Sequence, residues 1–570
     1  MTRVNSFLLL TTVIGLTWAL AQPTTAATDA YKIEQTRLGP MDAEMLFPVF
    51  SRDARHLAYV THRGQRSCVV ADGQAGAEYD GIAQNSLIFS PDGRRVAYVA
   101  LDGGKQLVVV DGQPGGQYDG IGMGTLIFSP DGKRVAYAAL NGGKQLVVVD
   151  GQPGAQYDGI PKSFSPIFGP DGKHVAYAAV KGRKRLMVVD GSAGGEYDGI
   201  AQSSLIFSPD GQRVAYVAGE GGRELVVVDG KPGAQYDGIG MGTLIFSSDG
   251  KRVAYSAKMG AKWFVVVDGQ PGSEYDGVAG LIFSPDGKRM GYVARKGNRE
   301  FAVVDGRRGP EYDLAFGLLF GLDGGRVAYV ARMGNRRFAV VDGQRGPEYD
   351  RIDNLTFSPD GKRVAYVAKK DNKQLVVVDG QPGLEHDAVA GLMFGPDGRR
   401  IAYAAKKGAK WLVVADGKPG SEFDEISGLI FGPNGKHIAY SARNGEKRLV
   451  VVDGQAGAEH DGITGLMFSP DGRHVVYVAY DGVNKGSPIL SPDGGLGFLA
   501  ERRLVVVSGP AGAEYSGVAD MIFGPDGKRV VYVPNEAAGK GSPIFSPDGD
   551  LEYLAAREGD LYRIRYTPAR

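Results

Sequence analysis

Phe128-Ser-Pro-Asp-Gly-Lys-Arg-Val-Ala-Tyr-Ala-Ala139 decides the fold, together with the phrase behind it, Gln145-Leu-Val-Val-Val-Asp-Gly-Gln-Pro-Gly-Ala-Gln-Tyr-Asp-Gly-Ile160. The pair begins again at Phe168. Its opening phenylalanine stands at Phe50, Phe89, Phe128, Phe168, Phe207, Phe246, Phe283, Phe320, Phe357, Phe394, Phe431, Phe468 and Phe523. The spacing is 39 or 40 residues as far as Phe246 and 37 from there to Phe468. A fixed period of this length signals a repeat architecture. Each unit reads as four short strands, a to d. Leu126-Ile127-Phe128 is strand a. Ser129-Pro130-Asp131-Gly132 then turns the chain, with proline presetting the second turn dihedral and glycine taking the left-handed fourth position. Arg134 to Ala139 is strand b, and Asn141-Gly142-Gly143-Lys144 turns again. Leu146-Val147-Val148-Val149 is strand c, a β-branched run suited to burial on both faces. After the Asp150-Gly151 turn, Ala155 to Asp158 forms a short polar strand d.

Four strands in about 40 residues are the pattern of a β-propeller blade. The expected fold is therefore all-β, tandem β-propellers built from four-stranded blades of 37–40 residues. The Phe-Ser-Pro-Asp-Gly-Lys-Arg-Val-Ala-Tyr phrase resembles the WD-like repeats of bacterial TolB-type propellers, over nearly the whole chain after its first segment. The resemblance implies an exported propeller acting through protein contacts at the cell envelope. The chain departs from the TolB pattern in having no evident N-terminal α/β domain.

Met1 to Ala21 reads as a cleaved signal peptide, with Arg3 in the charged region, an apolar run from Phe7 to Leu20, and Ala19-Leu20-Ala21 at the cleavage site. A periplasmic or secreted location follows as an expectation. Thirteen phrases exceed the blades of one common ring, typically about four to eight. Two rings are expected, 30–316 and 317–570, with the junction between 280 and 317. The period change near Gly280 and the irregular unit at Asp313 to Gly317, where Leu322 then replaces the turn proline, suggest the seam. Near Lys485-Gly-Ser-Pro488 and Lys540-Gly-Ser-Pro543 an extra phrase is inserted, either an additional blade or a hairpin from a b–c loop. The segment Tyr31 to Thr36 is a candidate closing strand.

Lysine plus arginine equal aspartate plus glutamate at 65 each, so no domain-wide basic excess marks nucleic-acid binding. Cys68 is the only cysteine, which excludes an internal disulfide, and its place in a strand c reads as a small buried hydrophobe. No Gly-x-Ser-x-Gly elbow is present. The histidines are substitutions within the repeat grid: His174, His437 and His474 stand where other units have arginine, and His386 and His460 where others have tyrosine. The Asp-Gly pairs do not follow a calcium-loop spacing. No catalytic, cofactor or metal residue is therefore expected. The recurring Tyr-Asp, as at Tyr275-Asp276, reads as tyrosine packing between blades and aspartate bonding a turn backbone. Trp263 and Trp411 open strands c and read as core.

The expected function is non-enzymatic: an exported scaffold for protein–protein interaction. Alternatives are a propeller enzyme, such as a polysaccharide lyase or hydrolase, and a carbohydrate-binding protein. In this strand order the a–b and c–d turns share one face, and the b–c and d–a connections the other. The first face is monotonous. The b–c loops vary and are basic, which nominates Arg183, Lys184, Arg185, Arg336, Arg337, Lys369, Lys370, Lys406 and Lys407 as contacts for an acidic protein partner.

Overall fold

The computed structural model describes residues 31–40, 46–52 and 56–469 and, beyond these, chiefly the strands as far as 568. Apart from one short 3-10 turn at Lys162–Phe164, every regular element named in it is a β-strand. The expected signal peptide, 1–21, and His474 lie outside the described residues.

Between Leu46 and Tyr515 twelve antiparallel sheets follow one another, each ordered a-b-c-d. We number them blades 1 to 12: 46–79, 81–118, 120–157, 159–197, 199–236, 238–275, 277–312, 314–349, 351–386, 388–423, 425–460 and 462–515. Local chemistry makes each hairpin. In blade 3, Ser129 N–H donates to the Arg134 carbonyl (2.9 Å) and Gly132 N–H to the Ser129 carbonyl (2.8 Å), closing the a–b turn. Ser129 Oγ donates to Asp131 Oδ1 at 2.6 Å, so the turn carries its own cap. The c–d turn places Asp150 at φ +50° and Gly151 at +78°, the type I′ geometry that matches strand twist.

Strand c is buried on both faces, as its apolar run requires. Val147 belongs to the core shared with blade 4, while Leu146 and Val148 belong to the core shared with blade 2. Each of the eleven interfaces between consecutive blades has such a core. The strand-d tyrosine of one blade meets the strand-b tyrosine of the next edge to face, as in Tyr236–Tyr255, with centroids 6.3 Å apart. Such geometry contributes about 0.5–1.5 kcal/mol beyond area burial. Cys68 is fully buried beside Leu57, Tyr59 and Val70, and burial raises its thiol pKa.

The change of period has a local cause. In blades 2, 3, 5 and 6 strand a is split into two pieces, such as Gly238–Ile239 and Ile245–Phe246, by a short loop. From blade 7 onward it is one strand, such as Gly277–Phe283, with a bulge at Gly280 (φ +64°). A loop has shortened to a bulge. Packing runs on through the expected seam at 280–317: Val293 and Ala302 of blade 7 share a core with Tyr329, Ala331 and Phe338 of blade 8. The turn holding Leu322 keeps its hydrogen bonds, Gly321 N–H to the Arg326 carbonyl and Gly324 N–H to the Gly321 carbonyl.

The two inserted phrases have different fates. The first contributes a small hairpin, Ile489–Leu490 with Leu496–Gly497, inside the b–c connection of blade 12. The second opens a further sheet, in which Ile544–Phe545, Leu551–Arg557 and Asp560–Pro568 are joined at the edge by Tyr31–Pro40. The N-terminal segment thus supplies the outer strand of the last sheet.

Candidate functional site

Both turn faces carry a repeated inter-blade staple, and the candidate site must be read against them. On the a–b/c–d face, Arg252 of blade 6 is typical. Its Nε donates to Asp268 Oδ2 (3.1 Å), and its Nη1 reaches forward to the Lys288 carbonyl of blade 7 (2.9 Å). The guanidinium also lies 5.5 Å from the centroid of the next blade's Phe283 ring. Asp268 Oδ1 accepts from Val253 N–H at 2.9 Å. His56, His174 and His437 replace this arginine and keep the aspartate, at 2.5, 2.6 and 2.6 Å; His56 still meets the next blade's Phe89 ring, with centroids 6.4 Å apart, and His174 also lies 3.6 Å from Asp171. The Asp190 bond raises the His174 pKa. Grooves of 420–670 Å³ recur between neighbouring blades on this face, each with a staple residue in its wall. Their recurrence marks them as a product of blade packing.

On the b–c/d–a face the staple is the Tyr-Asp aspartate. Asp276 Oδ1 accepts from Lys262 Nζ (2.5 Å) in its own blade, and Oδ2 from Gly297 N–H (2.6 Å) in the next blade's b–c turn. These two bonds hold its pKa below the ordinary carboxylate value, the lysine contributing most. The same double contact recurs from Asp119 through Asp424. The expected turn-bonding aspartate is therefore present, and the turn it bonds belongs to the neighbouring blade.

This accounts for part of the nominated basic set. Lys184 is a staple residue, 2.8 Å from Asp198 and 3.7 Å from Glu220, and Arg336 is another, paired with Asp350. Lys407 reaches Glu422 at 3.4 Å. Lys406 lies over the Trp411 ring at 6.0 Å, and Arg337 over Phe316 at 5.7 Å. Arg183, Arg185, Lys369 and Lys370 have no ion pair among the described residues; Lys369 is half-buried and the other three are exposed. Trp263 and Trp411 correct the expectation of core positions: both are half-buried at the b–c hairpin edge, each with a lysine over its ring.

The surplus cations cluster. At the two strand-b positions before the turn, blades 7 to 11 carry Arg295-Lys296, Arg332-Met333, Lys369-Lys370, Lys406-Lys407 and Arg443-Asn444, against Leu101-Asp102 and Leu140-Asn141 in blades 2 and 3, with Val180-Lys181, Gly219-Glu220 and Lys258-Met259 in blades 4 to 6. The position opposite in strand c keeps an acceptor in blades 7 and 9, where Glu300 takes the Ala315 N–H (3.0 Å) and Gln374 the Val389 N–H (2.7 Å), but is Arg337 in blade 8. Gln106 in the same place in blade 2 accepts from Ile121 N–H of the next blade (2.6 Å), a role that Arg337 cannot fill. Arg332, Arg443 and Arg448 are legible in the sequence as members of the basic b–c loops, but Glu425 is not, and the relation of the four appears only when the hairpins are in register. Glu425 Oε2 accepts from Arg443 Nε at 3.0 Å and from Arg448 Nη2 at 3.1 Å.

Among the described residues no group of three or more His, Cys, Asp or Glu side chains could hold a metal, and no helix is long and apolar enough to cross a membrane. Together these features define the class: an all-β chain of tandem propeller-type blades with one basic arc on its b–c face. No known protein family's profile matches the chain, and no curated protein matches it. Similar solved structures include TolB from Acinetobacter baumannii, 18% identical over 45% of this chain and 77% of that one, with a TM-score of 0.21. The β-propeller domain of the Trilobed protease from Pyrococcus furiosus is 13% identical over 47% and 95%, TM-score 0.22. A eukaryotic initiation factor is 12% identical over 67% and 95%, TM-score 0.27. The blade architecture itself rests on the strand pairing described above.

Proposed function

We propose that this chain is an exported, non-enzymatic scaffold that binds an acidic protein partner through the b–c face of blades 7 to 11. The observation that carries the reading is the uneven distribution of charge. Every staple consumes one cation and one aspartate, yet six consecutive blades, 6 to 11, add at least one further lysine or arginine, most densely in blades 7 to 11, while the molecule's net charge is zero. An arc with a local excess of cations on a molecule of zero net charge steers a partner of opposite sign and makes association depend on salt. Export is supported by the pattern of Met1 to Ala21.

The test is a charge reversal that leaves the staples intact: Lys369→Glu, Lys370→Glu and Lys406→Glu together. A partner captured from envelope extract by the unaltered chain should associate more slowly with this variant. Its on-rate with the unaltered chain should fall as salt rises. An on-rate indifferent to both would remove the reading. Export is checked by mass spectrometry of the mature protein, where an intact Met1 would contradict it.

A further inference from the structure

We propose that Arg332 and Arg337 of blade 8 form an anion-accepting point that takes one carboxylate side chain of an acidic protein segment. The inference rests on the partner-binding reading of the b–c face and names the chemistry of one point on it. The two arginines face each other across the b–c hairpin as register partners. Two guanidiniums directly opposite in an antiparallel pair repel, and such a pair is destabilising unless something neutralises it. Blade 11 repeats the arrangement with Arg443 opposite Arg448, and there a carboxylate is supplied from within the chain. Glu425, the first residue of strand a and the register partner of Arg443, bonds both guanidiniums through one oxygen. The equivalent of Glu425 in blade 8 is Leu314, the register partner of Arg332. It offers no acceptor.

A second observation agrees. Arg332 Nε is buried and has no hydrogen-bond partner. Leaving a buried charged donor unsatisfied is costly, so a ligand that satisfies it gains affinity. Neither Arg332 nor Arg337 has an ion pair among the described residues, and the adjoining cation Arg336 is already held by Asp350. Blade 8 therefore has the two donors of the blade 11 triad without its carboxylate.

The occupant is read from the surroundings. The pair lies at an open hairpin edge, with the Phe316 ring under Arg337 and exposed Met333 alongside. Blades 7 and 9 flank it with Arg295-Lys296 and Lys369-Lys370. An acidic polypeptide laid across the hairpins would find further cations on either side of the pair, and an apolar patch at Phe316 and Met333. A lone small acid would use only the pair.

The probe is a fluorescent hexaglutamate peptide, followed by anisotropy at low salt on the full chain. Arg337→Gln should weaken its binding roughly tenfold or more, the loss expected for a charge-assisted contact. Leu314→Glu should do the same by filling the point from within, and should also raise Tm by giving Arg332 Nε its acceptor. Arg448→Gln in blade 11, where the carboxylate is already present, should leave peptide affinity unchanged. The proposal is overturned if neither blade 8 variant weakens binding, if Leu314→Glu lowers Tm, or if Arg448→Gln weakens binding as much as Arg337→Gln. It is also overturned if monomeric glutamate at equal carboxylate concentration and ionic strength displaces the peptide as well as unlabelled peptide does. The assay needs no native partner. It can fail while the wider face still binds through Lys369, Lys370 and Lys406, and a partner indifferent to those lysines would remove the wider reading without touching the peptide result.

Discussion

At the scale of single residues, the recurring phrases consist mostly of groups whose partners stand one blade away. Asp424 shows the division of labour: it accepts from Lys410 Nζ (2.6 Å) in its own blade and from Gly445 N–H (2.6 Å) in the next. The expected outcome is that Asp424→Ala lowers Tm more than Lys410→Met does, since only the first leaves the Gly445 N–H without its acceptor. Equal losses in a thermal melt would place the whole effect in the ion pair. His386 gives a pH dependence. It occupies the tyrosine position of strand d, is 6% exposed, and packs edge-on to Tyr403 with centroids 6.0 Å apart. Its Nε2 has no hydrogen-bond partner, and burial, more than any neighbouring charge, lowers its pKa from the usual 6.5. A histidine that folds in its neutral form contributes its full stability above the unfolded value of 6.5. That stability is lost as pH falls from there through the folded value. His386→Tyr should therefore raise Tm more at pH 5 than at pH 8, each pH being about a unit and a half from the unfolded value. The tyrosine-to-histidine change at 386 was legible in the repeat grid. Packing between blades was legible from the tyrosine position it fills, but Tyr403 as its partner was not, because that pairing is set by the register of one blade against the next.

At the scale of the element, strand a separates the two halves of the repeat. In blades 7 to 12 a single residue at its middle takes a left-handed conformation: Gly280, Gly317, Asn354, Gly391, Gly428 and Gly465, with φ from +53° to +66°. That residue makes the bulge that replaces the longer loop of the earlier blades. Nothing lies within 4 Å of a Cβ built on Gly391, so a substitution there meets backbone strain alone. Gly391→Val should cost about 1–2 kcal/mol, the penalty of forcing a bulky residue into this conformation. Gly391→Asn should cost less, since asparagine tolerates it and Asn354 already holds the equivalent place. Denaturant melts of the two variants check the order. The shortening from 39 to 37 residues was visible in the spacing. Its cause was not, because a lost residue pair can belong to a ring boundary or to a strand, and hydrogen-bond register is needed to tell them apart.

At the scale of the whole molecule, cohesion comes from a series of similar interfaces, each with its own apolar core and most with two staples. Such arrays depend on nearest-neighbour contacts. Their vulnerable points are the terminal sheets, where an unpaired edge invites association with other chains. Tyr31–Pro40 covers one such edge by pairing with Asp560–Pro568. Removing residues 31–40 should lower Tm and promote concentration-dependent association, measured by light scattering beside the intact mature chain. A truncated chain as stable and as monodisperse as the intact one would show that the strand is dispensable.

The sequence by itself determined the blade. The turn residues, the apolar runs and the period act over a few positions, and local sterics with apolar burial leave little choice about what such residues do. It also exposed the basic b–c hairpins, since charge is a property of composition. Only the tertiary structure decided which of those cations are already spoken for. Lys184 and Arg336 look in the sequence like Arg183 and Lys370, and they differ because an aspartate at the end of strand d folds back beside them. It likewise decided that the period change lies within strand a, that the N-terminal segment joins the last sheet, and that Leu314 stands where blade 11 has Glu425. Each of these depends on register or on packing between units, and both are set by contacts between residues far apart in the chain.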